Sequence, residues 1–454
     1  MRCSVIDGLA FSVMVGVAQE YLAAFIFEIS RDARAAGLIT TIPVFLGSLL
    51  QLVSPWAVSK LGSNRRWVVW CAATQGFMMF PLAVAAFMGD APLWLIFLLA
   101  TIYHGTSLAT GAAWTAWIAQ IVPPAIRSHW FGKRNRWLQL ATLSGVLVGG
   151  AVRRVAESMG LTLSGNAEQA GSIGRAIVEG LPMWARDALT SVDMAMAAFA
   201  LLFIIGGLGR AVSAWFLWRQ TERLPLTDLP KAVSLRTIME TFGGNQTGRT
   251  LLYMCALGVA MQVAQPFFNP YALGVLNVGA GGYTLLIAAP YLGRMLVLPA
   301  FGRLIREQGL RRVMRFAGLI VVPLPLMWMC SGDPVWTLVV LALAQLVLGA
   351  AMGSYELSSF LMLYESIPES RRVNAITTFY VGSWLAGATG SLIGSTVIVA
   401  LTESRGLLLA TWGAFGLSVL LRAATIPLLR RATATPGELK PGVDDPVLLQ
   451  DAKT

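Results

Sequence analysis

The sequence predicts an all-α membrane protein of twelve transmembrane helices in two pseudo-symmetric six-helix bundles. Three observations predict it. Apolar residues fill 56% of the 454 positions and charged residues only 13%, about half the ~25% usual for a globular chain. The apolar residues come in blocks of about twenty or more, long enough to cross a bilayer as helices, and the alternating ten-residue segments of an outer-membrane barrel are absent. Finally, one unit is written twice. From Pro43 the chain reaches Gly62 after 19 residues and then places Arg65 and Arg66; from Pro290 it reaches Gly309 after the same 19 and then places Arg311 and Arg312. In each copy an apolar run ends in a tight basic loop and another apolar run follows, the pattern of a duplicated membrane bundle.

Charge sets the orientation. Net charge is +11, and 24 of the 34 Lys and Arg residues fall on one side of the predicted spans, against 7 on the other and 3 within them. That bias places both termini in the cytoplasm and makes the bilayer, not nucleic acid, the partner of the basic residues. Cys3, Cys71, Cys255 and Cys330 are far apart, with no CxxC and no disulfide framework. Two histidines exclude a multi-His metal site, and the absence of a G-x-x-x-x-G-K-[ST] loop excludes ATP as the power source. No cofactor, metal or enzymatic constellation is expected. The N-terminus lacks a small-residue cleavage site and reads as a retained first helix.

In chain order, span 1 covers roughly 7–29, span 2 36–58, span 3 67–88 and span 4 92–120. Span 4 is longer than the ~30 Å hydrocarbon layer requires and projects into the cytoplasm before the basic loop Arg127–Arg136. Span 5 is 137–156. The outer segment to about 190 places Ile173, Ile177, Leu181 and Trp184 at near-helical spacing, either an interfacial helix or an ordinary loop. Span 6 is 191–218. Residues 219–248, with Pro225, Pro230, Gly243 and Gly244, form the hinge between a first bundle, 1–218, and a second, 249–429. Spans 7 to 12 are 249–274, 282–304, 313–331, 334–364, 373–400 and 406–429, and the tail 430–454 reads as disordered.

Three further matches support duplication. Val17-Ala18-Gln19 corresponds to Val263-Ala264-Gln265, Pro123 and Arg127 to Pro368 and Arg372, and Gly145, Gly149 and Gly150 to Gly390, Gly394 and Ser395. All fall within two residues of a single offset.

On these residues the chain resembles the major facilitator superfamily over spans 1–12. The family's loop signature, G-x-x-x-D-[RK]-x-G-[RK]-[RK], is matched at Lys60, Gly62, Arg65 and Arg66, with Pro55 for the first Gly and Ser59 for the Asp. The second copy keeps Gly302, Gly309, Arg311 and Arg312, with Arg306 and Glu307 at the Asp and Arg positions. Glycine permits the sharp turn, and the basic residues either latch helix C-termini and acidic partners on the inner side or only set topology. Gly145, Gly149 and Gly150 keep the frame of the drug exporters' G-P-x-x-G-G, with Val146 for Pro. The exporters' span-4 arginine signature is missing, so the glycines read as close helix–helix contact.

The resemblance implies that spans 1, 4, 7 and 10 line a central cavity. Gln19 and Glu20 lie mid-span 1. His104, Ser107, Gly111 and Trp114 form one face of span 4, Gln262, Gln265 and Asn269 one face of span 7, and Gln345, Gly349, Met352, Glu356 and Ser359 one face of span 10. Tyr380 and Trp384 share a face of span 11. Charges at membrane depth mark function by default. Glu20 and Glu356 are read as proton or substrate residues, the alternative being structural bonds. His104 is either such a residue or a hydrogen-bonded packing group. Arg294 pairs with Glu356 or Glu20, or snorkels, while Arg210 and Arg422, near inner ends, are read as snorkelling. Trp114 and Trp384 are candidate cavity aromatics for holding rings or organic cations.

The expected activity is a secondary active transporter of the bacterial inner membrane. It would be monomeric and move a small-molecule organic substrate by alternating access, with a proton as the coupling ion. Two rivals stand beside it: an uncoupled facilitator, and a non-transporting assembly factor or sensor on the same scaffold.

Overall fold

The computed structural model describes residues 2–222, 246–329, 333–366 and 372–434, and every regular element among them is a helix. Span 1 is two helices, α1 (Arg2–Val17) and α2 (Leu22–Ser30), joined by a 3-10 turn at Gln19–Tyr21. Next come α3 (Ala33–Leu38), α4 (Ile42–Leu50), α5 (Ser54–Leu61), α6 (Asn64–Met88), α7 (Leu93–Ile121) and α8 (Pro124–Leu163). The short helices α9 (Ser172–Gly180) and α10 (Met183–Thr190) lead to α11 (Met194–Trp218). The later elements are α12 (Gln246–Gln262), α13 (Gln265–Gly274), α14 (Ala280–Gln308), α15 (Leu310–Val321), α16 (Leu324–Met327), α17 (Pro334–Ser366), α18 (Arg372–Ala424) and α19 (Ile426–Ala432). Among the described residues, seven stretches are long and apolar enough to cross a membrane, or eight if Ala35–Leu50 and Ser54–Leu61, bent by 43°, form one span. Most of the hinge and of the tail lies outside the described residues.

The Val-Ala-Gln repeat marks a broken helix in both copies. Ala18 (φ −115°, ψ −54°) ends α1 and Ala264 (φ −108°, ψ −39°) precedes α13, nearly the same backbone at repeat-related positions. In the second copy Pro266 removes a donor just past the break, which suits the first turn of a new helix. The glycine frames pack against these breaks. A side chain on Gly145 would strike Val13, Gly16 and Val17 of α1; one on Gly390 would strike Val259, and one on Gly394 would strike Val263. This is the backbone-to-backbone approach expected of small residues between membrane helices.

Turn residues set the ends. Gly309 (φ 82°) separates α14 from α15 in a conformation costly for a side chain. Gly406 (φ 78°) breaks the otherwise continuous α18 at the predicted junction of spans 11 and 12. Ser63 caps α6, its hydroxyl accepting from Arg66 N. Arg65 Nη1 donates to Gln220 O at 3.2 Å, and Arg311 Nη1 to Ala434 O at 2.8 Å. The 61–64 and 308–310 connections therefore lie beside the ends of α11 and α19, at what we call the terminal end. The connections at 31–32, 89–92, 164–193 and 275–279 form the distal end.

Buried apolar side chains form two large clusters. One, from Met14 to Phe203, also takes in Leu273, Tyr283, Ile287 and Ala288; the other runs from Leu251 to Ala432.

Four expectations need correction. The segment Arg127–Arg136 is not a loop but the opening turns of the 40-residue α8, which Pro124 can start because its missing N–H has no helical partner. Span 5 runs on to Leu163; in the outer segment, where the sequence leaves a helix and a loop both open, two short helices stand. Span 1 is not one continuous helix, and span 7 breaks between Gln262 and Gln265, so its polar residues do not share a single helical face. Arg210 and Arg422 do not snorkel: they are 4% and 1% exposed. Arg210 donates to Ser213 Oγ at 2.7 Å, and Arg422 donates to Ser418 Oγ at 3.1 Å and Val321 O at 2.8 Å, bonds that replace the water each would otherwise seek.

Candidate functional site

The break in span 1 exposes a short stretch of backbone and turns Gln19 and Glu20 out of the α1 register. Two tyrosines of α14 meet it. Tyr291 donates its hydroxyl to Glu20 Oε1 at 2.6 Å, and Tyr283 donates to the Glu20 carbonyl at 3.0 Å. Beside them, Tyr21 donates to Val146 O at 2.6 Å and approaches Thr284 Oγ1 at 3.4 Å, while its ring lies 5.9 Å from that of Tyr283. The Arg153 guanidinium sits over Phe199 at 4.7 Å, Tyr283 at 5.9 Å and Tyr21 at 6.0 Å. Elements from the two repeats thus close around one carboxylate. Position 266, the repeat counterpart of Glu20, is Pro, so the carboxylate has no symmetric twin.

One turn beyond Tyr291, Arg294 Nη2 lies 3.0 Å from Glu356 Oε1 on α17. The two side chains are 27% and 51% exposed, so the pair sits in accessible space and contributes ~0–1 kcal/mol at most. Arg294 takes Glu356 for its ion pair and stands one helical turn from Tyr291, the donor to Glu20. On the other side Tyr103 donates to Gln19 Oε1 at 2.7 Å. Gln19, Glu20, Arg294 and Glu356 are therefore brought into one neighbourhood by Tyr103 and Tyr291.

The remaining predicted residues divide. His104 stands edge-on to Tyr103, next to the close crossing of Gly47 and Gly105. Gly111 has open space around it. Trp114 faces the terminal end, 6.3 Å from Phe131 and under the Arg134 guanidinium at 4.8 Å. Gln262 lies against Gly387, Gln265 is exposed and Asn269 half-buried. The α17 stripe is not uniformly open: Gln345 and Ser359 are buried, and Gly349 packs on Pro290. The side chains of Tyr380, Trp384 and Arg306, and the surroundings of Gly302, lie outside the described residues.

At the terminal end the basic loops grip helix C-termini, Arg65 at Gln220 and Arg311 at Ala434. Arg315 adds bonds to Thr433. Each contact stays within its own repeat. Lys60 lies over Trp56 at 5.1 Å, and Gly62, Arg66, Glu307 and Arg312 are exposed. Glu222 seats its side chain on the loop that follows Ser59 and Lys60. Its carboxylate accepts from Asn64 N at 2.7 Å, Arg65 N at 3.2 Å and the Ser63 hydroxyl, seating a negative charge on the α6 N-terminus.

Sequence reasoning missed a buried network at the same end. Ser213 donates to Asp7 Oδ1 at 2.7 Å, Arg134 Nη2 lies 3.8 Å from Asp7 Oδ2, and Arg134 Nε donates to Ser4 O at 3.1 Å. It missed Tyr283 and Tyr291 too, although Tyr291 stands one helical turn before Arg294 and so on its face.

Comparison with solved structures identifies the fold. No protein-family model matches the chain, and no curated protein matches it. Among solved structures, the chain is similar to a point mutant of the nucleoside transporter NupG with a TM-score of 0.65 at 15% identity, over 94% of this chain and 99% of that one. A D-xylose–proton symporter aligns with a TM-score of 0.63 at 12% identity, over 93% and 95%. A bacterial homologue of the human lysosomal transporter Spinster, inward-facing and occupied, aligns at 0.62 and 16%, over 97% of each chain. FucP, a major facilitator superfamily transporter in the outward conformation, aligns at 0.57 and 14%, over 96% and 99%.

Proposed function

We propose that this chain, which shares the fold of the major facilitator superfamily, is a proton-coupled secondary active transporter for a small polar organic solute. Two six-helix bundles, 1–218 and 249–429, move about the 219–248 linker, and both termini face the cytoplasm of a bacterium. Glu20 carries the proton. The observation behind this reading is the 2.6 Å bond from Tyr291 to the Glu20 carboxylate, which joins a mid-span acid to the opposite repeat.

The chemistry follows from position. A carboxyl group can take up and release a proton as its hydrogen-bond and charged partners change. Tyr291 and Tyr283 hold Glu20 with the distal side drawn together, and Gly37 beside Phe267 adds a second contact between repeats there. A cavity of about 230 Å³ remains at the distal mouth between Glu28, Arg153 and Asn277. Gln19, Tyr103, Arg294 and Glu356 offer donors and acceptors suited to a hydroxylated or amide-bearing solute. Nucleosides and monosaccharides are the first solutes to test, given what the similar structures carry by name.

The test uses purified protein in liposomes. Solutes are first ranked by thermal stabilisation of the protein, and the best is then followed in counterflow and in uptake driven by a pH gradient. Glu20→Gln keeps shape and neutral bonding but cannot ionise; it should retain counterflow and lose uphill accumulation. Wild-type accumulation in Glu20→Gln and in Glu356→Gln overturns proton coupling and leaves facilitated diffusion. Absence of counterflow with every stabilising solute overturns transport.

A further inference from the structure

We propose that the α9–α10 hairpin is a membrane-surface anchor, seating Ile173, Ile177, Met183 and Trp184 in the headgroup and upper acyl region of the distal leaflet. This needs only that α8 and α11 span the bilayer. It does not depend on proton coupling or on any particular solute.

The helix α9 is amphipathic, and only part of its apolar arc is covered. At 100° per residue, Ile173, Gly174, Ile177 and Val178 share one side while Arg175, Ala176 and Glu179 lie on the other. Gly174 and Val178 are buried, Gly174 against Ser158 of α8. Ile173 and Ile177 continue the same arc but are 65% and 41% exposed. The following helix opens with Met183 and Trp184, exposed by 77% and 74%. Four large apolar side chains are thus left open on one short hairpin.

Its level identifies the occupant. The apolar run of α8 ends at Arg153, Arg154 and Glu157, where charge returns. The hairpin is fastened just beyond, by Ser158 Oγ donating to Gly171 O at 2.8 Å. Its other end joins α11 directly, whose first turn is capped by Asp193. Below the junction, Leu201 and Ile204 are exposed apolar residues of α11, a helix long and apolar enough to cross a membrane, and Leu147 and Val148 continue that exposed apolar surface on α8. The open arc therefore lies at the height where acyl chains give way to headgroups, the depth favoured by tryptophan and by interfacial helices.

The hairpin is also ordered in advance. Arg175 donates to Ala167 O, and Arg186 donates to Leu181 O at 2.9 Å and to Glu179 O. These bonds tie the turn at 167–169 and both helices into one unit, so little ordering cost falls on binding.

The experiment places a nitroxide at Ile173, Ile177 or Trp184, one at a time, in a variant with the four native cysteines replaced, reconstituted singly in phosphatidylglycerol/phosphatidylethanolamine nanodiscs. Glu179 is the control on the polar side. Collision rates with oxygen and with a water-soluble nickel chelate give the depth of each site. The three apolar positions should favour oxygen several-fold over their ratio at Glu179. Water-like ratios at both Ile173 and Trp184 overturn the anchor, as does an immobile label shielded from both reagents, which would mean a protein-covered face. Spin–spin broadening in two-copy discs, absent from single-copy discs, assigns the face to a second copy and also overturns it. Circular dichroism and monodispersity confirm folding of each labelled protein.

Discussion

Replacing Tyr291 by Phe removes one oxygen and nothing else, and the consequence can be sized. The lost bond is 2.6 Å long and ends on a carboxylate, a class contributing about 1.5–3 kcal/mol. It joins α14 to the break in span 1 toward the distal side, so under the alternating access proposed above it is made when that side is closed and lost when it opens. Phe therefore favours the distal-open state by about ten- to 150-fold in the equilibrium constant. Tyr283→Phe removes a bond to a neutral carbonyl at 3.0 Å and should act in the same direction by about two- to twelve-fold. Spin labels at the exposed Asp90, just past the end of α6, and Glu403, beside the Gly406 break in α18, report the opening by double electron–electron resonance. The measurement is made at a pH where the wild type shows both distances. Tyr291→Phe should move amplitude to the longer distance, and the double variant further. Unchanged amplitudes in the double variant refute the idea that these hydroxyls hold the distal side shut.

Asp7→Ala should lower stability by about 3–5 kcal/mol, since it strands the buried Arg134 without its carboxylate and leaves Ser213, which Arg210 bonds, without its acceptor; thermal unfolding in a fixed detergent reads this, and an unchanged melting temperature counts against the network. Glu222→Ala should cost about 0.5–2 kcal/mol through loss of the carboxylate on the α6 N-terminus, with Glu222→Asp recovering part of it. A membrane-impermeant thiol reagent should label a cysteine at Asp90 in intact cells but reach one at Gln246 only after permeabilisation; the reverse pattern inverts the topology.

What the sequence made legible follows from the range of each signal. The glycine frames read correctly because a residue without a side chain in an apolar run has one main use, close approach, and Gly145, Gly390 and Gly394 are used that way. The Val-Ala-Gln repeat was visible, but the break it marks was not: alanine is the best helix former, and only Pro266 carries a local breaker signal. Ion pairing of Arg294 was open between two acids, and only folding, which stacks α14 on α17, decides for Glu356. The tyrosine contacts to Glu20 span more than 260 residues of chain, beyond any periodic pattern. Arg210 and Arg422 misled because position along a span says nothing about which neighbour covers a side chain. Glu222 stood in the hinge, where an acid looks like ordinary solvated sequence.

The uninterrupted α8 has a mechanical consequence. Its 40 residues make a rod about 60 Å long, and Thr142 and Gly145, where α1 packs backbone against backbone, lie near its midpoint. Arg134, toward one end, donates to Ser4 O and lies beside Asp7, and Tyr21 donates to Val146 O just past the centre, so α8 and α1 are fastened along their length and tilt as one body. A tilt of about 10° about the midpoint of such a rod carries each end through about 5 Å in opposite senses, so Arg134 with its aromatic partners swings one way as Ser158 and the attached helices swing the other. Whatever loads one arm is felt at the other, and the resistance of the lipid surface at the hairpin becomes a force at the far end of the same helix.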